Sequence, residues 1–178
     1  MAYFVRRSAV PKVQGGYQSF KPHVREDFNR QCAYCLLAEI LAGGEENFEL
    51  DHFRPKSLFP NRLNDFYNIY YACHPCNQIK KDAWPPAALE ARRIGFVDLC
   101  KDDFATHFQI NADGRWEGIT ESGRYTIDIL RLNRRHLTIL RQLLAQLGLA
   151  IHEKKITEAE LVQLVAPDNR QTKAKSGG

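Results

Sequence analysis

The residues best able to do chemistry are two cysteine pairs and the polar residues between and beside them. The pairs are Cys32-Ala-Tyr-Cys35 and Cys73-His-Pro-Cys76, thirty-seven residues apart. Four thiolates presented by two C-x-x-C turns are the donor set of one tetrahedral Zn²⁺. A structural zinc of that kind contributes ~10–16 kcal/mol of apparent binding free energy, comparable with a small domain's whole stability. Between the pairs stands Asp51-His52, and Asn77 directly follows the second pair. An imidazole, a carboxylate and an amide suit hydrolysis at a phosphate. The expectation is one centre that holds the fold (Cys32, Cys35, Cys73, Cys76) and another that does the reaction. His74 lies inside the second pair, but the four sulfurs already complete a tetrahedron, so it belongs outside it.

The surrounding pattern must place these groups. Pro22 opens a short helix with Val24 and Phe28 on one face, ending near Arg30. A short apolar helix is expected through Leu36, Leu37, Ile40 and Leu41, stopped by Gly43-Gly44. Phe48–Phe53 alternates as a strand, and Ile69–Ala72 is a second, rich in aromatic and β-branched residues. Residues 54–67 between them, with two prolines and several Asn and Asp residues, read as a long functional loop. A helix then carries Asn77, Ile79, Lys80 and Lys81 until Pro85-Pro86 ends it. Adjacent strand residues point to opposite faces, so Asp51 and His52 serve one site only if the strand end twists or bulges.

Farther on, Asn111-Ala112-Asp113-Gly114 joins two short strands as a hairpin, and Arg124–Arg131 reads as a helix. Asn133 is placed to cap a longer helix ending at Gly148, with Leu137, Leu140, Leu144 and Leu147 on one face. Its arginines, Arg131, Arg134, Arg135 and Arg141, form either a solvated face or a surface along a nucleic-acid backbone. Thr157-Glu158-Ala159-Glu160 resembles a capping box, and residues 167–178 are expected to be disordered. The chain thus divides into a basic N-terminal arm (1–21), a core with the zinc knuckles (22–90), a hairpin and helical extension (91–166) and a tail (167–178), in an α+β fold.

The 178 residues are 44% apolar and 26% charged, ordinary for a globular protein. No apolar run approaches the ~20 residues of a membrane span, and residues 1–10 lack a signal-peptide core. The expected location is the cytoplasm, where five cysteines argue for metal rather than disulfides, leaving Cys100 a buried, inert thiol. The net charge of +4 is uneven: six Lys and Arg stand against two acids over residues 1–30, nine against thirteen over 31–120, and seven against three over 121–155. A basic frame around an acidic centre suits a polyanion and a metal ion.

Glu49-Leu50-Asp51-His52-Phe53-Arg54-Pro55-Lys56, the later Asn68, and Cys73-x-x-Cys76-Asn77-x-x-Lys80 together resemble the HNH endonuclease family over roughly residues 32–82. The resemblance implies a ββα-metal finger that hydrolyses phosphodiester bonds in DNA. His52 would activate water, Asp51 and Asn77 would hold one divalent ion, and Asn68 would brace the loop so that His52 points correctly. Lys80 or Arg54 would steady the phosphate. Many family members have His where Asn77 stands, so the harder donor favours Mg²⁺ or Mn²⁺. Many also have Gly-Gly after the Pro motif; here Lys56-Ser57-Leu58-Phe59-Pro60-Asn61 replaces it. A weaker likeness over residues 95–141 is to an extension of some bacterial HNH proteins, and some proteins of this type are similar to nucleases of anti-phage defence systems, controlled by a partner protein. The competing reading is a zinc-ribbon module that binds nucleic acid or protein without catalysis.

Overall fold

The computed structural model describes residues 1–146. The expected features at Leu147, Gly148, Thr157–Glu160 and 167–178 lie outside the described residues.

Helix α1 (Lys21–Asp27) follows a 3₁₀ turn at Tyr17–Phe20 and has Pro22 in its first turn, where the missing N–H costs nothing. The first C-x-x-C turn is closed by the Cys32 N–H on the Leu37 carbonyl (2.9 Å) and the Leu36 N–H on the Cys32 carbonyl (3.0 Å). The apolar helix expected over Leu36–Leu41 does not form. Leu36 sits at φ +61°, which no right-handed helix accepts, and Gln31 bridges Ala38, so this stretch closes the knuckle instead. One 3₁₀ turn, Glu39–Ala42, remains, and it stops at Gly43 with φ +87°.

Strand β1 (Phe48–His52) pairs antiparallel with β2 (Ile69–Cys73), Phe48 opposite Cys73 and His52 opposite Ile69. The strand ends one residue before the expected Phe53. The loop over residues 54–67 is held by 3₁₀ turns at Pro60–Arg62 and Phe66–Asn68. Every residue of β2 is buried. Its tyrosines join the two sides of the core: Tyr70 packs on Phe28 (5.1 Å between centroids) and Phe53 (4.7 Å), and Tyr71 stacks on Phe48 (4.7 Å). Helix α2 (His74–Lys80) springs directly from β2 with Pro75 in its first turn and ends at Lys81, φ +44°. Helix α3 (Ala87–Ala91) follows Pro85-Pro86.

Helix α4 (Phe104–His107) leads into β3 (Phe108–Ile110), which pairs antiparallel with β4 (Trp116–Gly118). Helix α5 (Glu121–Ile129) is capped by the Thr120 hydroxyl, which accepts from the Gly123 N–H at 3.0 Å. Gly123 is needed there because a Cβ would strike the His107 carbonyl. Asn133 does not cap the last helix. Its amide accepts from the Trp116 N–H (2.7 Å) and donates to the Trp116 carbonyl (2.8 Å), taking the place of a strand neighbour on β4, and α6 (Arg135–Gln146) begins two residues later.

Rather than extending as a free arm, the basic N-terminal segment folds inward. Phe4 is fully buried and donates its N–H to the Leu99 carbonyl at 2.9 Å. Arg6 bonds Asp27 (3.2 Å) and the carbonyls of Ile69 (3.0 Å) and Phe66 (2.8 Å), with its guanidinium on the Phe66 ring. Arg7 takes the other Asp27 oxygen at 2.6 Å. These two cations tie the N-terminus to α1 and β2 and are not available to a polyanion. Among the described residues the fold is α+β with two separate two-stranded sheets, and no helix there is long and apolar enough to cross a membrane.

Candidate functional site

Cys32 and Cys35 come from the first knuckle, Cys73 from the last position of β2, and Cys76 from the first turn of α2. All four are buried and unpaired, and their sulfurs lie within 4.8 Å of one another. Cys35 Sγ is 3.8 Å from Cys73 Sγ. A tetrahedron with zinc–sulfur arms of about 2.3 Å has edges of roughly 3.8 Å, so the spacing fits a zinc and is far too long for a disulfide. Four buried cysteines can therefore hold one structural zinc at the junction of the knuckle, β2 and α2.

The second set of residues lies along β1 and α2, at a cavity of about 460 Å³. Asp51, His52 and Asn77 all line it, together with Tyr17, Glu49 and three lysines, Lys21, Lys56 and Lys81. The His52 ring is fixed twice: Nε2 lies 2.9 Å from the Leu63 carbonyl, and the Tyr17 ring meets it edge-on at 4.6 Å. Asn68 spans the loop by accepting from the Arg54 N–H (2.9 Å) and donating to the Arg54 carbonyl (3.0 Å), two residues beyond His52.

Glu49 and Asp51 share one face of β1, and Asn77 and Lys80 share one face of α2. The two faces meet pairwise. Lys80 Nζ bonds Asp51 Oδ2 at 2.9 Å and the His52 carbonyl at 2.8 Å, and the Tyr34 hydroxyl donates to the same Asp51 oxygen. Burial raises the Asp51 carboxyl above its ordinary range, against the opposing pull of Lys80 and Tyr34. Asn77 Nδ2 donates to Glu49 Oε2, and His74 Nδ1 meets the other Glu49 oxygen at 2.6 Å. For Glu49 burial pulls upward, but the His74 and Asn77 bonds outweigh it and hold the carboxyl below its usual range.

These partners leave a definite remainder. Asp51 Oδ1 and Asn77 Oδ1 have no hydrogen-bond partner among the described residues, because the bonds fall on Asp51 Oδ2 and Asn77 Nδ2. Lys80 and Arg54 are placed elsewhere. Lys80 is fully buried on Asp51, and the Arg54 guanidinium lies 5.2 Å from both the Phe59 and Trp84 rings, lining a different cavity. The cations at the cleft are Lys21, Lys56 and Lys81, which sequence reasoning gave no role. Glu49 was also missed, although its place two residues before Asp51 put it on the same strand face.

The arginines of the C-terminal extension are neither a solvated face nor a free basic surface as a group. Arg141 is buried on the Trp116 ring at 4.6 Å, and Arg134 is half-buried with Nη2 3.2 Å from Cys76 Sγ. Arg131 and Arg135 are exposed.

No protein-family profile matches the chain. Among curated proteins the chain is similar to the Septu protein PtuB of Bacillus thuringiensis, with 25% identity over 119 residues that make up 64% of this chain and 42% of that protein. The chain thus spans less than half of that relative's length. What the structure and this likeness establish together is an α+β protein with a buried cluster of four cysteines able to hold a metal ion and a polar cleft nearby, similar in sequence to a Septu protein.

Proposed function

We propose that this protein is an HNH endonuclease, a metal-dependent hydrolase of phosphodiester bonds in DNA built on a zinc-supported ββα-metal finger. The observation that carries the reading is the 2.9 Å contact between His52 Nε2 and the Leu63 carbonyl. A carbonyl only accepts, so Nε2 holds the ring's proton and Nδ1 keeps its lone pair for a proton from water. General-base help of this kind contributes typically 10²–10⁴-fold.

The rest of the reaction follows from the cleft. The DNA backbone is drawn to Lys21, Lys56 and Lys81. His52 takes a proton from a water whose oxygen bonds to phosphorus, and the bond to the leaving oxygen breaks, that oxygen taking its proton from solvent. A divalent ion held by Asp51 Oδ1 and Asn77 Oδ1 would neutralise charge on the phosphate and steady the leaving oxygen. Lys80 and Tyr34 orient Asp51, Glu49 orients the Asn77 amide, and Asn68 holds the loop that carries Leu63. The likeness to a Septu protein supports a place in an anti-phage defence system, with a partner protein controlling the nuclease; the cytoplasm is the location this reading proposes.

The test is plasmid cleavage with Mg²⁺ or Mn²⁺, with and without EDTA, comparing the wild type with His52→Ala. The wild type should nick or cut, EDTA should stop it, and His52→Ala should be inactive while keeping its zinc and its circular dichroism. Full activity in His52→Ala would remove the assigned base. A wild type that binds DNA but never cuts it would favour the zinc-ribbon binding module.

A further inference from the structure

Half-buried Arg134 reaches the four-cysteine centre from the C-terminal extension, and a second arginine, Arg141, is buried farther along the same extension. Arg134 donates from Nη2 to Cys76 Sγ at 3.2 Å and from Nη1 to the Leu130 carbonyl at 2.7 Å, and its Nε is buried without a partner. Arg141, almost wholly buried on Trp116, has one bond, from Nη1 to the Gly114 carbonyl at 3.3 Å, while Nε and Nη2 are buried without partners. No salt bridge to a carboxylate reaches either arginine among the described residues.

Burying an unpaired cation is costly unless an opposite charge lies close by. Four protonated thiols would supply none. Four thiolates around Zn²⁺ carry a net charge of −2, part of which the Arg134 guanidinium at Cys76 offsets. We infer that Arg134 is the charge partner of a dianionic zinc–tetrathiolate centre, and that this pairing latches the start of α6 to the zinc knuckles and slows loss of the metal. The inference rests on the four-cysteine cluster being a zinc site. Offsetting the charge lowers the nucleophilicity of the sulfurs towards oxidants and alkylating agents, because an electron-rich thiolate is the species that such reagents attack. It also gives α6 a reason to dock on α2: Arg134 is the side chain through which the start of α6 touches a metal ligand.

The test is zinc release, which needs no nuclease activity. Zinc-loaded wild type, Arg134→Gln, Arg134→Lys and Arg141→Gln are treated with a thiol-modifying reagent, and freed metal is read with a chromophoric chelator. Removing partners bonded to a metal's ligands typically costs 10–100-fold in affinity, so Arg134→Gln should release zinc at least about tenfold faster, with Arg141→Gln as the control that removes a buried cation but no bond to sulfur. Arg134→Lys, which keeps the charge, should stay near the wild-type rate. Hydrogen exchange should show α6 opening more often once zinc is stripped from the wild type. If Arg141→Gln fails to fold, the Arg134 pair still decides. Wild-type release rates in Arg134→Gln would overturn the inference while leaving the zinc site in place. A wild type purified without zinc and unable to bind it would instead remove the zinc reading on which the inference rests.

Discussion

Lys80 Nζ lies 2.9 Å from Oδ2 of Asp51, in a position that solvent does not reach. A fully buried lysine is rare, and this one is satisfied by a carboxylate and by the His52 carbonyl. Breaking such a pair from one side leaves a buried charge without a partner. Lys80→Met is therefore expected to lower stability by about 3–5 kcal/mol, read as a lower urea midpoint with zinc bound. Adding Asp51→Asn should recover part of that loss, because the orphaned charge disappears with it. A loss under 1 kcal/mol in Lys80→Met would show that Asp51 finds water or another donor when Lys80 is gone.

Asn68 separates geometry from stability. Its amide makes two bonds to the backbone of Arg54 and none to the His52 ring. Asn68→Ala should cost about 1–3 kcal/mol from the backbone groups of Arg54 and Arg62 that it strands. Its effect on cleavage should exceed what that loss of folded protein explains, because the loop that carries Leu63 no longer holds the imidazole in register. Single-turnover cleavage well below the folded fraction, at a temperature where the variant is fully folded, is the expected result. Equal losses in activity and folded fraction would reduce Asn68 to a structural role.

The scaffold was legible because local signals agreed. Alternation over Phe48–His52, the aromatic run at Ile69–Cys73 and Pro75 in the next turn leave few arrangements other than two strands and a helix. The two C-x-x-C pairs located their own meeting point. Charged residues were harder to read. Arg6, Arg7, Lys80, Arg134 and Arg141 look like solvent-facing or DNA-facing cations in a linear sequence. Each is instead spent on a partner distant in sequence: Arg6 and Arg7 on Asp27, Lys80 on Asp51, Arg134 on Cys76 and Arg141 on Trp116. Periodicity could have exposed the Lys80 pair, since Glu49 and Asp51 share a strand face and Asn77 and Lys80 stand one helical turn apart. The failed helix at Leu36–Leu41 has another cause: closing the knuckle demanded a positive φ at Leu36, and apolar spacing carries no information about that.

The cysteine centre stands where the knuckle, β2 and α2 meet, so its loss should not be a local event. Zinc is expected at one per chain. Stripping it with a strong chelator should lower the thermal midpoint and expose apolar surface to a reporter dye, and returning zinc should reverse both changes. Cys73→Ser should give insoluble or molten protein. A soluble, cooperatively unfolding Cys73→Ser variant without metal would show that the hydrophobic core around Tyr70 and Tyr71 suffices alone.

Thiol reactivity distinguishes the fifth cysteine from the four in the centre. Cys100 is partly buried rather than fully enclosed as expected, and that desolvation, reinforced by the Asp98 charge, pushes its thiol up to about 12. Only the thiolate reacts at a useful rate, so at pH 8 nearly all of Cys100 is in its inert form, and labelling should quicken as pH rises toward 12. With zinc bound, the other four sulfurs would be withheld differently, by the metal, and their protection should not depend on pH in that way. Iodoacetamide at pH 8 should therefore leave the zinc-loaded native protein almost unlabelled, as mass spectrometry would show. Chelation without unfolding should add label at Cys32, Cys35, Cys73 and Cys76 before Cys100. Rapid labelling of Cys100 in the native protein at pH 8 would mean that the segment around Asp98 opens far more often than its packing against Tyr70 implies.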